Sequence, residues 1–118
     1  MPIENFKDLA IWQRGIELVE KVYLQTRHFP KEELYGLTGQ LRRSAVSVPS
    51  SIAEGFARGH RSEYRQFLYV ALGSCAELTT QITISARLGY MKEQTVVNLL
   101  SEVDQISKMI MALIKKLN

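Results

Sequence analysis

Apolar residues recur along this chain in steps of three and four, the spacing that stacks side chains on one face of an α-helix. Four such stretches are legible. In the first, over residues 8–27, Leu9, Trp12, Ile16, Val19 and Tyr23 form the seam. Asn5 or Asp8 is placed to cap its start, and Pro30 ends it by forcing Phe29 out of helical backbone. A short turn over residues 31–35 closes at Gly36. The second stretch runs over residues 39–58, with Thr38 as N-cap and Leu41, Ala45, Val48 and Ile52 as seam. The third starts from Ser62 as N-cap, carries Tyr64, Leu68, Ala71, Cys75, Leu78 and Ile82, and stops at Gly89. The fourth, over residues 92–117, sustains a heptad seam of Val96, Leu99, Val103, Ile106, Ile110, Leu113 and Leu117.

No run alternates in the manner of a strand. The connections are short, so consecutive helices are expected to lie antiparallel. The prediction is an all-α protein, one up-down-up-down four-helix-bundle domain over residues 1–118. Two helices carry apolar residues beyond one seam: Ile11, Leu18 and Val22 on the first, and Val97, Leu100, Met111 and Ile114 on the fourth. Such a second row is either a wide core stripe or a face between subunits.

The second helix is unusual. Residues 44–57 are rich in Ser, Ala and Gly, and Pro49 lies inside. An interior proline costs roughly 3 kcal/mol unless the helix bends. A kink at Pro49 is therefore expected, with Ser47 or Ser50 satisfying freed backbone groups. Gly59 is the expected left-handed stop.

Length and composition fit a single globular domain: 118 residues, 46% apolar and 23% charged. No apolar run approaches the ~20 residues that span a bilayer. Met1-Pro2-Ile3-Glu4-Asn5 lacks the basic and apolar regions of a signal peptide, so the sequence reads as cytoplasmic with no membrane contact. Cys75, the single cysteine, falls on an apolar stripe and reads as a small core residue.

Chemistry is sparse. No Glu has a His three residues later, the di-metal spacing of four-helix bundles. His28 and His60 fall at helix ends. There is no phosphate-binding glycine loop, and serines 44, 47, 50 and 51 have no visible base. Glu54 and Glu77 fall at inward-leaning positions; Glu54 precedes Arg58 by four residues, the favourable order for an ion pair. Neither a catalytic residue, a metal ligand nor a cofactor site is read from the sequence, and the chain reads as a non-enzyme.

Charge is more informative. The formal net charge is +3, and the segment from Arg42 to Arg65 holds five arginines against Glu54 and Glu63. Antiparallel helices gather their ends. One end collects Lys7, Arg58, His60, Arg61, Arg65, Lys115 and Lys116, opposed by Glu4, Asp8 and Glu63. The other collects Arg27, Lys31, Arg42, Arg43, Arg87 and Lys92, opposed by Glu32, Glu33 and Glu93. Arg61 and Arg65 also fall at a helix N-terminus, where cations are disfavoured. A phosphate there would meet guanidinium groups and free N–H groups together. Phe6, Tyr35, Tyr64 and Tyr69 are candidates to stack bases, although most are expected to pack internally.

The chain resembles the four-helix-bundle proteins encoded within intervening sequences of bacterial 23S rRNA genes. The resemblance covers nearly its whole length. It rests on Phe6-Lys7-Asp8-Leu9 with Trp12-Gln13, on Phe29-Pro30 with Glu33, Tyr35-Gly36-Leu37-Thr38 and Gln40-Leu41-Arg42-Arg43-Ser44-Ala45, and on Ser47-Val48-Pro49-Ser50-Ser51-Ile52-Ala53-Glu54-Gly55. Ser62 with Tyr64, Phe67-Leu68, Gly73-Ser74 and Glu77-Leu78 complete it. Many relatives carry Asn where this chain has Ser51. The resemblance implies a homopentameric ring with no established catalytic activity. The fold also resembles the accessory variability determinant protein of diversity-generating retroelements, a pentamer implied to bind nucleic acid and a reverse transcriptase. Ser47, Pro49, Ala53, Glu54 and Gly55 are then expected to serve close packing between helices or subunits.

Two functions follow as expectations. The first is an oligomer that binds nucleic acid, RNA before DNA, through Arg58, Arg61 and Arg65 helped by Arg42 and Arg43, with little sequence preference. The second is an oligomeric scaffold for a partner protein such as a nucleic-acid-processing enzyme, using the spare apolar rows.

Overall fold

In the computed structural model, which describes residues 4–118, the four periodic stretches become α1 (Ala10–Thr26), α2 (Leu37–Ala57), α3 (Arg61–Arg87) and α4 (Glu93–Lys116). The signal-peptide reading rests largely on Met1, Pro2 and Ile3, which lie outside the described residues. Two 3-10 turns, Phe6–Asp8 and Lys31–Glu33, precede α1 and α2. There is no strand among the described residues. Each helix packs on its neighbours in sequence, α1 closes on α4, and diagonal pairs do not pack directly. That is the up-down-up-down four-helix bundle. Its long dimension is 45 Å, close to what the 27 residues of α3 span at about 1.5 Å each. By length and composition α3 could cross a membrane, but its Leu68, Leu78 and Ile82 are fully buried in the bundle.

The core departs from the sequence reading on α1. Its buried residues are Ile11, Gly15, Leu18, Val22 and Thr26, so the row read as spare is the core row. Ile16 and Tyr23, read as seam, are 37% and 41% exposed. The cause is Gly15, which a hydrophobic pattern does not register. A Cβ there would lie 3.1 Å from Cβ of Pro49, so the bare backbone of α1 sits against the proline ring of α2. On α4, Leu99, Val103, Ile106 and Ile110 are buried as read, but the stripe then turns to Ile114 rather than Leu113 and Leu117. A straight helix drifts by about 20° per heptad, which moves the buried row by one position over its length. α2 is one continuous helix through Pro49, and no kink is established there.

Helix ends also differ in detail. Gly59 and Gly89 have φ of 75° and 79°, the left-handed stops expected. Ser62 is not a cap: α3 begins at Arg61, with His60 as an N-cap that makes no side-chain bond. Thr38 lies inside α2, and its buried hydroxyl has no hydrogen-bond partner among the described residues. The first turn of α2 is held instead by Glu33, whose carboxylate accepts from the Leu37 N–H at 3.2 Å and from the Tyr90 hydroxyl at 3.0 Å. That hydrogen bond pushes Tyr90 up from its ordinary value. Asn5 caps the first 3-10 turn through the Lys7 N–H, whereas α1 begins from Leu9 without a side-chain cap.

The α1–α4 seam carries the best-buried ion pairs. Glu102 accepts from Nε of Arg14 and Nζ of Lys21, both at 3.2 Å. Burial pushes the carboxyl up, but the hydrogen bonds and charges of Lys21 and Arg14 outweigh it, and the group titrates below its ordinary value. A carboxyl depressed in the folded state stabilises fully above its unfolded value and loses that contribution as pH falls through the folded one. Glu102→Gln should therefore lower stability by about 1 kcal/mol at neutral pH, and the difference should vanish as the solution is acidified below the usual carboxylate range. Urea unfolding of both proteins across pH measures it.

Candidate nucleic-acid interface

The five arginines expected to contact nucleic acid fall in different surroundings. Arg42 and Arg43 lie in the second turn of α2, and among the described residues only Arg42 has a hydrogen-bond or aromatic partner. Its Nε donates to Oγ1 of Thr26 at 3.0 Å, and its guanidinium lies 4.5 Å from the centre of the Tyr23 ring. Arg43 is exposed and has no carboxylate within the 4.0 Å of an ion pair among the described residues.

At the opposite end, Arg58 is the most committed. It reaches Glu54 at 3.3 Å and Glu63 at 3.7 Å, and lies 5.2 Å from the centre of the Phe67 ring. The expected pairing of Glu54 with Arg58 is thus present. Arg65 donates from Nη1 to the Leu117 carbonyl at 3.1 Å. It therefore caps the C-terminus of α4, where a cation is favoured. This corrects the reading of Arg65 as an uncompensated charge: its penalty at the start of α3 is offset by the end of α4. Arg61, the first residue of α3, is exposed with no carboxylate partner among the described residues.

Pairing divides the cations. Arg14, Lys21 and Lys108, which the sequence places at neither end, each have a carboxylate at 3.2 Å or less. Of the lysines and arginines assigned to the ends, only Arg58 has one within 4.0 Å among the described residues. Exposed unpaired cations are free to exchange counterions for phosphates.

Of the residues expected at close contacts, Ser47, Pro49 and Gly55 lie against a neighbouring helix, whereas Glu54 is exposed. Ser74 Oγ donates to Ser47 Oγ at 2.8 Å across α2 and α3, so Ser47 serves the helix contact rather than Pro49. A Cβ on Gly55 would lie 2.6 Å from Cβ of Phe67 and 3.3 Å from the Tyr64 carbonyl oxygen. Pro49 is buried, Ala53 half-buried, and Ser51 buried in α2. Glu54 and Glu77 are exposed, which corrects their inward-leaning placement: α2 and α3 turn both carboxylates outward. Cys75 is buried; burial pushes its thiol up, opposed by a hydrogen bond with Ser107. Among the described residues, no group of three or more His, Cys, Asp or Glu side chains gathers as a metal site.

The sequence offered Tyr35 as a base-stacking candidate and Arg42 and Arg43 as phosphate contacts, but not the surface that joins them. Tyr23, Leu34, Tyr35, Arg42, Arg43 and Val46 line an open cleft of about 790 Å³ between α1, the residues that join the second 3-10 turn to α2, and α2 itself. Tyr35 is 93% exposed. The one signal in the sequence was an aromatic residue directly before the turn glycine Gly36, and a lone tyrosine in a turn does not reveal which way it points. A smaller polar cleft lined by Gln40, Ser44, Glu77 and Gln81 shares Arg43 and Ser47 with it.

Comparison with known proteins agrees with this architecture. A crystal structure of a protein of unknown function from the S23 ribosomal protein family of Bacteroides thetaiotaomicron superposes with a TM-score of 0.81 at 20% identity, covering 90% of this chain and 99% of that one. That likeness is one of fold. No curated protein matches. The model of the 23S rRNA-intervening sequence protein family matches residues 7–112, and the chain belongs to that family.

Proposed function

We propose that this protein is a non-enzymatic homo-oligomer that binds nucleic acid, RNA before DNA, through the basic ends of its bundle. The observation that carries this is the division of the cations: those away from the ends are paired, and those at the ends, Arg58 excepted, have no carboxylate partner among the described residues. Binding rests on phosphate contacts and shows little sequence preference. Arg43 and Arg61 are the principal contacts, because neither is used by the fold. Arg42, Arg58 and Arg65 contribute field and secondary contacts while also holding Thr26, Glu54 with Glu63, and the end of α4. Assembly, with five copies as the resemblance implies, would repeat each basic end around a ring and raise affinity through multiple attachment. Exposed apolar side chains such as Val97 and Met111 on α4 and Tyr69 and Val70 on α3 are available to subunit contacts.

Light scattering with and without a structured RNA tests both parts. The expected result is a mass of at least twice 13.5 kDa for the protein alone and a rise by one RNA or more on mixing at low salt. A monomer that takes up no RNA contradicts the proposal.

The scaffold reading keeps one support. The spare row of α1 is core, but Val97 and Met111 of the α4 row remain exposed. A protein partner captured equally well by an Arg43→Ala/Arg61→Ala variant that has lost RNA binding would favour it.

A further inference from the structure

We infer that the cleft around Tyr35 is a base-stacking site for single-stranded RNA; the inference rests on the nucleic-acid reading above and specifies what is bound. Tyr35 exposes nearly its whole side chain. Its ring has no aromatic or cationic partner among the described residues, unlike Phe6, Phe29, Phe56 and Tyr23, which all have one. A bare aromatic surface is unfavourable in water and is covered when a flat ligand stacks on it. The lining supplies the rest of a nucleotide's requirements. Arg42 and Arg43 are present and no acidic residue lines the cleft, so its charge complements a phosphate. The guanidinium of Arg42 is already held over the Tyr23 ring, in the stacked geometry that arginine also offers to bases. Leu34 and Val46, both about half exposed, form an apolar floor. The volume of about 790 Å³ is within the range of small-ligand pockets.

Single strands are favoured because an aromatic side chain reaches a base face only where the bases are unstacked. Arg43 lines both the aromatic cleft and the polar cleft of Gln40 and Glu77, so a phosphate held by it adjoins the Tyr35 cleft, and the Glu77 carboxylate disfavours a strand running on into the polar one. A second copy of the chain is the competing occupant. It would leave Arg42 and Arg43 facing their own kind unless it brought carboxylates to them.

Anisotropy titrations of a labelled oligo(U) strand and of an RNA duplex of equal length, with the wild type, Tyr35→Ala and Tyr35→Trp, test this. Tyr35 is too exposed for its removal to disturb the fold. Tyr35→Ala should weaken oligo(U) binding by about 5- to 150-fold while duplex affinity and the salt dependence stay unchanged, and Tyr35→Trp should retain binding. Equal effects on strand and duplex, or none on either, overturn the stacking site while leaving phosphate-driven binding in place. Loss of solution mass in Tyr35→Ala assigns the cleft to a second copy and also overturns it. Failure of the wild type to bind either RNA at low salt sinks the nucleic-acid reading itself.

Discussion

Gly55→Ala should destabilise the protein, whereas Gly73→Ala, the same change one helix later, should stabilise it. At Gly55 the new Cβ would lie 2.6 Å from Cβ of Phe67 and 3.3 Å from the backbone oxygen of Tyr64. Neither atom is the free end of a flexible side chain, so α2 and α3 must separate. Overpacking of this kind costs about 1–3 kcal/mol. The gain in helix propensity, about 1 kcal/mol, offsets only part of it. Gly55→Val removes that offset, because a β-branched residue is a poorer helix former, and adds two methyl groups to the clash. It should cost more than about 3 kcal/mol, a large share of the roughly 5–15 kcal/mol that holds a domain folded. At Gly73 a Cβ meets nothing within 4 Å, and the helix should gain about 0.5–1 kcal/mol. Urea midpoints of the three variants against the wild type check the signs. A stabilising Gly55→Ala would mean that α2 and α3 are not in close contact there.

This contact shows what was legible. A run of small residues in α2 pointed to close backbone approach, and Gly55 against Phe67 is that approach. The count of helices, their order, the two glycine stops and the seam of α3 were equally legible, because periodicity and left-handed glycines are local signals. The register of α1 was not. Its seam is defined by a missing side chain at Gly15 packed on Pro49, and two rows, one position apart, fit the same steps of three and four. Nor were the uses of Glu33 and Arg65. Glu33 bonds to Tyr90, 57 positions away, and Arg65 to Leu117, 52 away. No spacing rule connects residues brought together only by the folded bundle.

The second large effect concerns Arg43 and Arg61. Replacing both by alanine should leave the fold intact, since neither makes an ion pair among the described residues. Each removes one phosphate contact. A contact contributes about 0.9 to the log–log salt slope on duplex DNA and about 0.7 on single strands. At roughly 0.1 M salt, losing two contacts in one engaged subunit weakens binding by about 25- to 60-fold and flattens the slope by about 1.4–1.8, and each further subunit engaged in the oligomer adds to the loss. Arg58→Ala should do less to RNA affinity, because Glu54 and Glu63 already neutralise that charge. Arg65→Ala should reduce stability as well, because it uncaps α4.

The arginine clustering itself was legible: antiparallel helices bring Arg58, Arg61 and Arg65 to one end and Arg42 and Arg43 toward the other. Which of them are free was not, because that depends on the partner each side chain finds. The Tyr35 cleft escaped for a related reason. Its walls come from α1, the turn after it and α2, and nothing in the order of residues says that Tyr35 points out while Phe29 and Tyr90 turn in and pack on each other.

The most direct test of phosphate-driven binding is the affinity of the unmodified protein for a labelled RNA, measured by anisotropy across a series of potassium chloride concentrations. Binding through the unpaired end cations predicts a straight log–log plot falling steeply, by about 0.7–0.9 for each phosphate engaged. A flat plot, or no binding at the lowest salt, would contradict it.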